Sequence, residues 1–416
     1  MKQERFFRRL GKMDESLRAS AEIQKAAKSQ KMLFLKMGAI AACVVLAVGV
    51  GAMLYQSNKI APAIDAPSLN RDDSKLPSLM LEINYGSMGF EGYCAYSIDE
   101  LVNNNPWNQD STITHLPVIK NALTYNETEQ VENPDLEAMK VLLKESAGKL
   151  GMDAEHLPIT DDAPDEETRK RMTEKLTMFG DEVPEGYFKP SAVYMADQQI
   201  KVEVDSSMVV TVYFEPAAAL PKGLNFTDYN ASYEDVYQVA EYLQNEYKDY
   251  LAMENPSINI TGGDYTFDGA QLYHIAFFDD TGDEAQRILN YNFNYVTFAC
   301  DDDGKLSISR VFQPDLTNVI GNYPIISKEQ ALELLENKNY ITSVPDEFPG
   351  SEYVKKVELV YRSSNREKTY LPYYRIYVEL PSMKLENGLN TYGAYYVPAV
   401  EGKYIENMPL WDGAFN

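Results

Sequence analysis

The sequence predicts an α+β protein hung from a single N-terminal transmembrane helix, followed by tandem modules of one helix packed on a small antiparallel sheet. Three observations predict it. Residues 37–55 run nineteen positions without a charge, about 28 Å as a helix and enough to cross the hydrocarbon core of a bilayer. Beyond them, runs that alternate apolar and polar side chains recur between turn signals, the period of half-buried strands. Capped amphipathic helical stretches precede such runs at least twice, a structural repeat without a sequence repeat.

Charge sets the orientation. Residues 1–36 carry ten Lys and Arg against four acids, a net of +6, which leaves 28 basic and 59 acidic groups beyond, a net of −31. The positive-inside bias places 1–32 in the cytoplasm, 33–55 in the cell membrane as a single pass, and the rest outside. Phe6, Leu10, Met13 and Leu17 form an apolar stripe on the basic head, suited to an anionic inner leaflet or to an anti-sigma-like contact. In the membrane segment Ala39, Cys43, Ala47 and Gly51 make a small-residue face at four-residue spacing, which lets another transmembrane helix, or a second copy, approach closely. Ile40-Ala41-Ala42-Cys43 looks like a lipobox, but the apolar run continues past the cysteine. A cleaved signal near Ala61-Pro62-Ala63 conflicts with the length of that run.

Residues 56–77, rich in Pro, Ser and charge, read as an extended stalk. The first module, 78–220, is expected to hold strands over 79–85 and 92–97, a short helix over 98–103, helices over 134–149 and 160–176, and a hairpin of 200–204 with 208–214 turning at Asp205-Ser206-Ser207. The second, 221–316, opens on a helix that Ser232 and Asp235 cap, with Tyr233, Val236, Val239, Ala240, Leu243 and Tyr247 on one face. Strands follow over 272–278, 295–300 and 306–312, the last two joined through the Asp-Gly signal of Asp303-Gly304. The third, 317–416, repeats the order: a helix capped by Ser327 with Ala331, Leu332, Leu334 and Leu335, then strands over 354–361, 373–380 and 392–400.

Composition narrows the function. A net of −31 repels nucleic acid, so no nucleic-acid partner is expected. Cys94 and Cys300 either pair in an oxidising compartment or are two small buried residues. His115, His156 and His274 are far apart. Two acidic clusters, Asp279, Asp280, Asp283 and Glu284 in one loop and Asp301, Asp302 and Asp303 in another, offer oxygens without EF-hand spacing and read as solvated turns. With no nucleophile elbow, zinc-protease helix, P-loop or dinucleotide turn, neither an enzyme nor a cofactor is expected. Of the thirty tyrosines, Tyr370, Tyr373, Tyr374, Tyr392, Tyr395 and Tyr396 cluster near the end. They are candidates for a half-exposed protein or glycan surface, against the simpler account of strand tyrosines with one wet side.

Residues 323–331 (YPIISKEQA), 357–361 (VELVY), 371–376 (LPYYRI) and 395–403 (YYVPAVEGK) together resemble the C-terminal part of the YycI/YycH family and, more loosely, PepSY-like domains. The resemblance covers 323–403 and, weakly, the middle module, while 56–220 departs from it. It implies a single-pass, extracytoplasmic α+β protein of a Gram-positive envelope that restrains a histidine kinase through membrane and outer contacts, and it brings no catalytic residues. The expected function is therefore that of an extracytoplasmic interaction or regulatory protein acting on an envelope kinase or protease. Binding of wall glycan is the alternative.

Overall fold

A computed structural model describes residues 75–83, 91–125, 131–178, 183, 186–227, 231–364 and 367–413, all of them in the unit Ala63–Asn416. The head, the apolar stretch 37–55 and its face of Ala39, Cys43, Ala47 and Gly51 lie outside the described residues. Among those described, no helix is long and apolar enough to cross a membrane.

The elements follow the expected periodicities and build an α+β fold of antiparallel strands. In chain order they are β1 (Gly92–Ala95), β2 (His115–Lys120), α1 (Leu136–Lys149), β3 (Thr160–Asp161), α2 (Glu166–Met178), β4 (Ala192–Ala196), β5 (Ile200–Asp205) and β6 (Val210–Ala218). Then come α3 (Tyr233–Glu246), α4 (Lys248–Leu251), β7 (Pro256–Tyr265), β8 (Gln271–Asp279), α5 (Glu284–Phe293), β9 (Tyr295–Cys300) and β10 (Leu306–Phe312). The last are β11 (Val319–Pro324), α6 (Lys328–Glu336), β12 (Val354–Tyr361), β13 (Thr369–Tyr370), β14 (Pro372–Glu379) and β15 (Asn390–Pro398). The expected caps form as capping boxes, Ser232 with Asp235 and Ser327 with a partner, Gln330, that was not expected, so the N-cap and third N–H groups of each helix start are satisfied.

The sheets do not respect the expected modules. One eight-stranded sheet runs β3-β4-β5-β6-β10-β9-β8-β7. Because β6 pairs with β10, the boundary at 220/221 falls inside a single sheet. A four-stranded sheet, β1-β15-β14-β12, and a three-stranded one, β11-β2-β13, take strands from both ends of the chain, so 316/317 is no boundary either. Three tandem modules, each with its own sheet, are therefore corrected to one interlocked body. The helix-then-strands order persists, but the sheet edges that would have been exposed pair with each other instead.

Helices α1 and α3 share one face of the long sheet. Met139, Leu143, Val236, Val239, Ala240 and Leu243 meet Val202, Val212, Ile275 and Phe298 in one buried cluster. Helix α5 covers the other face near β8 and β9, where Phe278 meets Tyr291 edge-on at 5.4 Å. The four-stranded sheet has an apolar face too, where Leu359, Ile376, Val378, Tyr395 and Val397 pack with Leu335 of α6. Its opposite face carries Glu358, Arg375, Tyr377 and Tyr396, and it matters for function.

The chain enters this body as a stitched segment. Leu79 bridges Ile405, Leu81 N–H donates to Asn407 Oδ1 at 2.8 Å, and Tyr323 hydroxyl donates to the carbonyl of Pro77 at 2.7 Å. Leu79 and Leu81 sit in a core with Val360, Tyr373 and Tyr396. Only Leu79 of the expected strand over 79–85 makes a ladder contact, and 84–85 lie outside the described residues.

Candidate functional site

Strand alternation decides where the tyrosines go. Tyr373 and Tyr374 are consecutive on β14, so they point to opposite faces, as do Tyr395 and Tyr396 on β15. Tyr374, Tyr395 and Tyr370 join the apolar core, Tyr373 and Tyr396 face the other way, and Tyr392 packs on Ala95 and Leu101. All six are at most 4% exposed. The expected half-exposed interaction surface is corrected: a sheet with both faces covered buries tyrosines of either parity.

The polar face encloses the site. Register places Glu358 opposite Arg375 and Arg375 opposite Tyr396, which sets acid, base and phenol side by side on β12, β14 and β15. Glu358 Oε2 accepts from Arg375 Nε at 3.1 Å and Nη2 at 2.7 Å. Its Oε1 takes Lys356 Nζ at 2.8 Å and Asn103 Nδ2 at 2.7 Å. Burial pushes this carboxyl up, but Arg375 and then Lys356 outweigh it and hold Glu358 down at about 2. Arg375 lies 5.3 Å from the Tyr377 ring centroid, and its charge also acts on the Tyr291 phenol of α5. Tyr396 hydroxyl donates to Glu91 Oε2 at 2.7 Å. Burial raises the phenols, Tyr93 and Tyr291 to about 12, so they act as protonated donors.

Of these groups, Glu91, Tyr93, Asn103, Tyr291, Arg375, Tyr377 and Tyr396 line a cavity of about 590 Å³ whose far wall comes from β7 and β8. Segment 101–107 ties the two walls together. Val102 N–H donates to Gly262 O at 2.9 Å, Asn104 N–H to Asn259 Oδ1 at 3.0 Å, and Asn105 Nδ2 to Leu359 O at 3.1 Å. A bulge then re-aims one carboxylate. Gly262 pairs with Tyr273 and Asp264 with Leu272, so an extra residue, Gly263, turns Asp264 from the helix-covered face to the cavity face. Gly263 has φ +96°, and a β-carbon there would run into the Glu100 carbonyl, so glycine is required by conformation and by space.

A second polar cluster borders the cavity. Arg362, part of its lining, places Nη2 2.8 Å from Glu367 Oε1, off the hydrogen-bond axis, and Nη1 within 3.5 Å of the Glu82 carbonyl. Among the described residues, Glu82 Oε2, Glu367 Oε1, Ser364 Oγ and the Tyr373 hydroxyl are buried without a hydrogen-bond partner. Burial raises Glu367 to about 7, with Arg362 opposing and Glu82 adding to the rise.

Of the other sequence candidates, His274 alone reaches the cavity, His156 pairs with Asp153 at 2.8 Å on the surface, and His115 lies on β2. The thiols of Cys94 and Cys300 are not bridged; Cys94 Sγ is 3.9 Å from Thr391 Oγ1, and Cys300 ends β9 in another sheet. The acidic loops are used in folding. Asp283 caps α5, Asp279 accepts N–H groups of Glu254 and Asn255, Asp301 accepts those of Asp303 and Lys305, and Asp280 lies 3.7 Å from Arg287. The sequence reading missed the cavity residues, although a lone acid in VELVY and a lone base in PYYRIYV were a signal for a buried pair.

No family model matches the chain, and no curated protein matches it.

Proposed function

We propose that this protein is a membrane-anchored, extracytoplasmic interaction and regulatory protein whose body engages an envelope membrane protein, a sensor histidine kinase or a protease. The observation that carries the reading is the entry of the chain. Residues 79–82, some two dozen positions after the apolar stretch, are hydrogen-bonded to the C-terminal segment 404–407, and Leu79 and Leu81 pack with Val360, Tyr373 and Tyr396 of the sheet that also walls the cavity. A change at that sheet therefore reaches the segment leading to the anchor through short contacts, Arg362 to Glu82 among them. The basic head, the apolar stretch and the acidic body supply the topology. The resemblance of 323–403 to YycI/YycH points to the same class of partner. Glycan binding loses the tyrosine surface named for it, and the anti-sigma alternative rests wholly on 1–32.

In-cell crosslinking of the C-terminally tagged chain, with mass spectrometry of what is attached, tests the proposal. The expected product is an envelope kinase or protease, with capture reduced several-fold by Ala47→Leu and Gly51→Leu together. Unchanged capture in that variant removes the transmembrane part of the contact, and recovery of this chain alone overturns the heteromeric partner.

A further inference from the structure

We propose that the cavity between the polar face of β14–β15 and the edge of β7–β8 binds a small α-amino-acid zwitterion, a free amino acid or dipeptide, with its carboxylate on Arg375 and its ammonium between Glu91 and Asp264. The inference uses the regulatory reading only for its purpose, since the binding itself stands on the cavity.

One wall carries the positive charge of Arg375, with Lys356 outside the lining as a second cation on the same carboxylate. Lys356 and Arg375 share the single carboxylate of Glu358, two cations to one anion, and each oxygen of Glu358 already accepts two donors. Arg375 spends Nε and Nη2 on one oxygen of Glu358, which leaves the Nη1 end of its planar fork for a second carboxylate. The other wall is negative. Glu91 has one oxygen on the Tyr396 hydroxyl, and Asp264, which the bulge turns inward, is in no ion pair among the described residues. Both walls act on one group: Glu91, Arg375 and Asp264 all bear electrostatically on the Tyr93 phenol. Charges of both signs therefore line one cavity. Tyr93, edge to face with Tyr377 at 5.5 Å, offers ring surface to an ammonium, while the Tyr377 ring already carries Arg375 and Lys356.

A ligand of single charge fits worse. A simple anion on Arg375 leaves Glu91 and Asp264 uncompensated on the other wall, and a simple amine leaves the second edge of Arg375 uncompensated, so either ligand matches one wall only. A zwitterion satisfies both walls. The volume of about 590 Å³ lies inside the range of small-ligand sites, roughly 300–1,000 Å³. Arg362 in the same lining touches Glu82, so occupancy reaches the entry segment directly.

The test is thermal unfolding of the full chain in detergent, titrated with glycine, L-alanine, D-alanine and alanyl-alanine, with acetate, methylammonium and inorganic phosphate as single-charge probes. At least one zwitterion is expected to raise the melting temperature saturably, while acetate and methylammonium do not at the same concentration. Asp264→Asn should weaken that ligand tenfold or more without lowering the ligand-free melting temperature. Arg375→Gln breaks a buried pair and counts only if it still melts cooperatively, so Asp264→Asn decides. The proposal is overturned if no zwitterion binds, if acetate or phosphate binds as well, or if Asp264→Asn leaves affinity unchanged. Crosslinked partner capture is read separately, so loss of ligand binding with capture intact rejects this inference alone.

Discussion

Glu358 and Glu367 are both carboxylates at most 2% exposed, and each has an arginine nitrogen within 2.8 Å. Burial pushes both up, yet Glu358 ends at about 2 and Glu367 at about 7. The difference lies in the neighbours. Glu358 has two cations and an amide, with four donors spread over its two oxygens. Glu367 has one arginine approaching off-axis, and a second carboxylate, Glu82, works against it. One arginine does not repay the desolvation of a carboxylate, whereas two cations and an amide do. The first cluster is built to stay ionised, and the second is poised to change.

The largest effect comes from breaking the first cluster. Glu358→Gln leaves Arg375 and Lys356 half-buried beside each other without their shared anion. Removing one partner of such a group costs about 3–5 kcal/mol, read as a lower urea midpoint. Glu367→Gln should do the reverse near pH 8, stabilising the protein by about 1–3 kcal/mol because a neutral amide replaces a carboxylate the fold disfavours. Equal losses in the two variants would show that burial alone governs them.

The pH dependence sharpens the contrast. Glu358 is held below its unfolded value near 4.5, so its contribution is present above pH 4.5 and fades as pH falls toward 2. Glu367 is raised to about 7, so the folded state holds the extra proton between 4.5 and 7. Its contribution is full below pH 4.5, declines as pH rises to 7 and is flat above. Each spans about 3 kcal/mol at 1.36 kcal/mol per unit. Denaturation midpoints from pH 3 to 8 should therefore peak near 4.5–5.5, and Glu367→Gln should flatten the neutral limb while leaving the acid limb in place. A neutral limb that persists in the variant would assign the decline to another group.

Local signals explain how much of this was legible. Ser232 with Asp235, the Ser327 cap, and the Asp205-Ser206-Ser207 and Asp303-Gly304 turns act over a few residues, and the structure contains each of them. The alternation in 354–361, 372–379 and 390–398 gave those strands nearly to the residue. What could not be read is long-range. Pairing of β6 with β10 and of β1 with β15 joins segments about 90 and 300 positions apart, and no period records a partner. Helix α5 gives no clear start signal because its capping residue Asp283 stands among other acids, and β2 gives no clear strand signal because Pro117 sits inside it. The cavity draws on β1, β7, β8, α5, β12, β14 and β15, so its residues meet only once those pairings exist.

The smallest test separates the two faces of one strand. Tyr373 and Tyr374 are both at most 3% exposed, but their hydroxyls differ as the two carboxylates do. Tyr374 donates to the Ile326 carbonyl at 2.7 Å, so Tyr374→Phe strands a buried acceptor and should cost about 1 kcal/mol. Arg362 lies over the Tyr373 ring, 5.6 Å from its centroid, and the hydroxyl has no hydrogen-bond partner among the described residues, so Tyr373→Phe removes a buried polar atom that gains little. That variant should be neutral or stabilising by a few tenths of a kcal/mol, within reach of paired urea titrations. It should also lift Glu367 slightly or leave it unmoved, since the phenol does not hold the carboxylate. If Tyr373→Phe instead costs more than Tyr374→Phe, the Tyr373 hydroxyl is holding Arg362 in place. The cluster at Glu82, Arg362 and Glu367 would then be as fully built as the one at Glu358, and the contrast between them would fall.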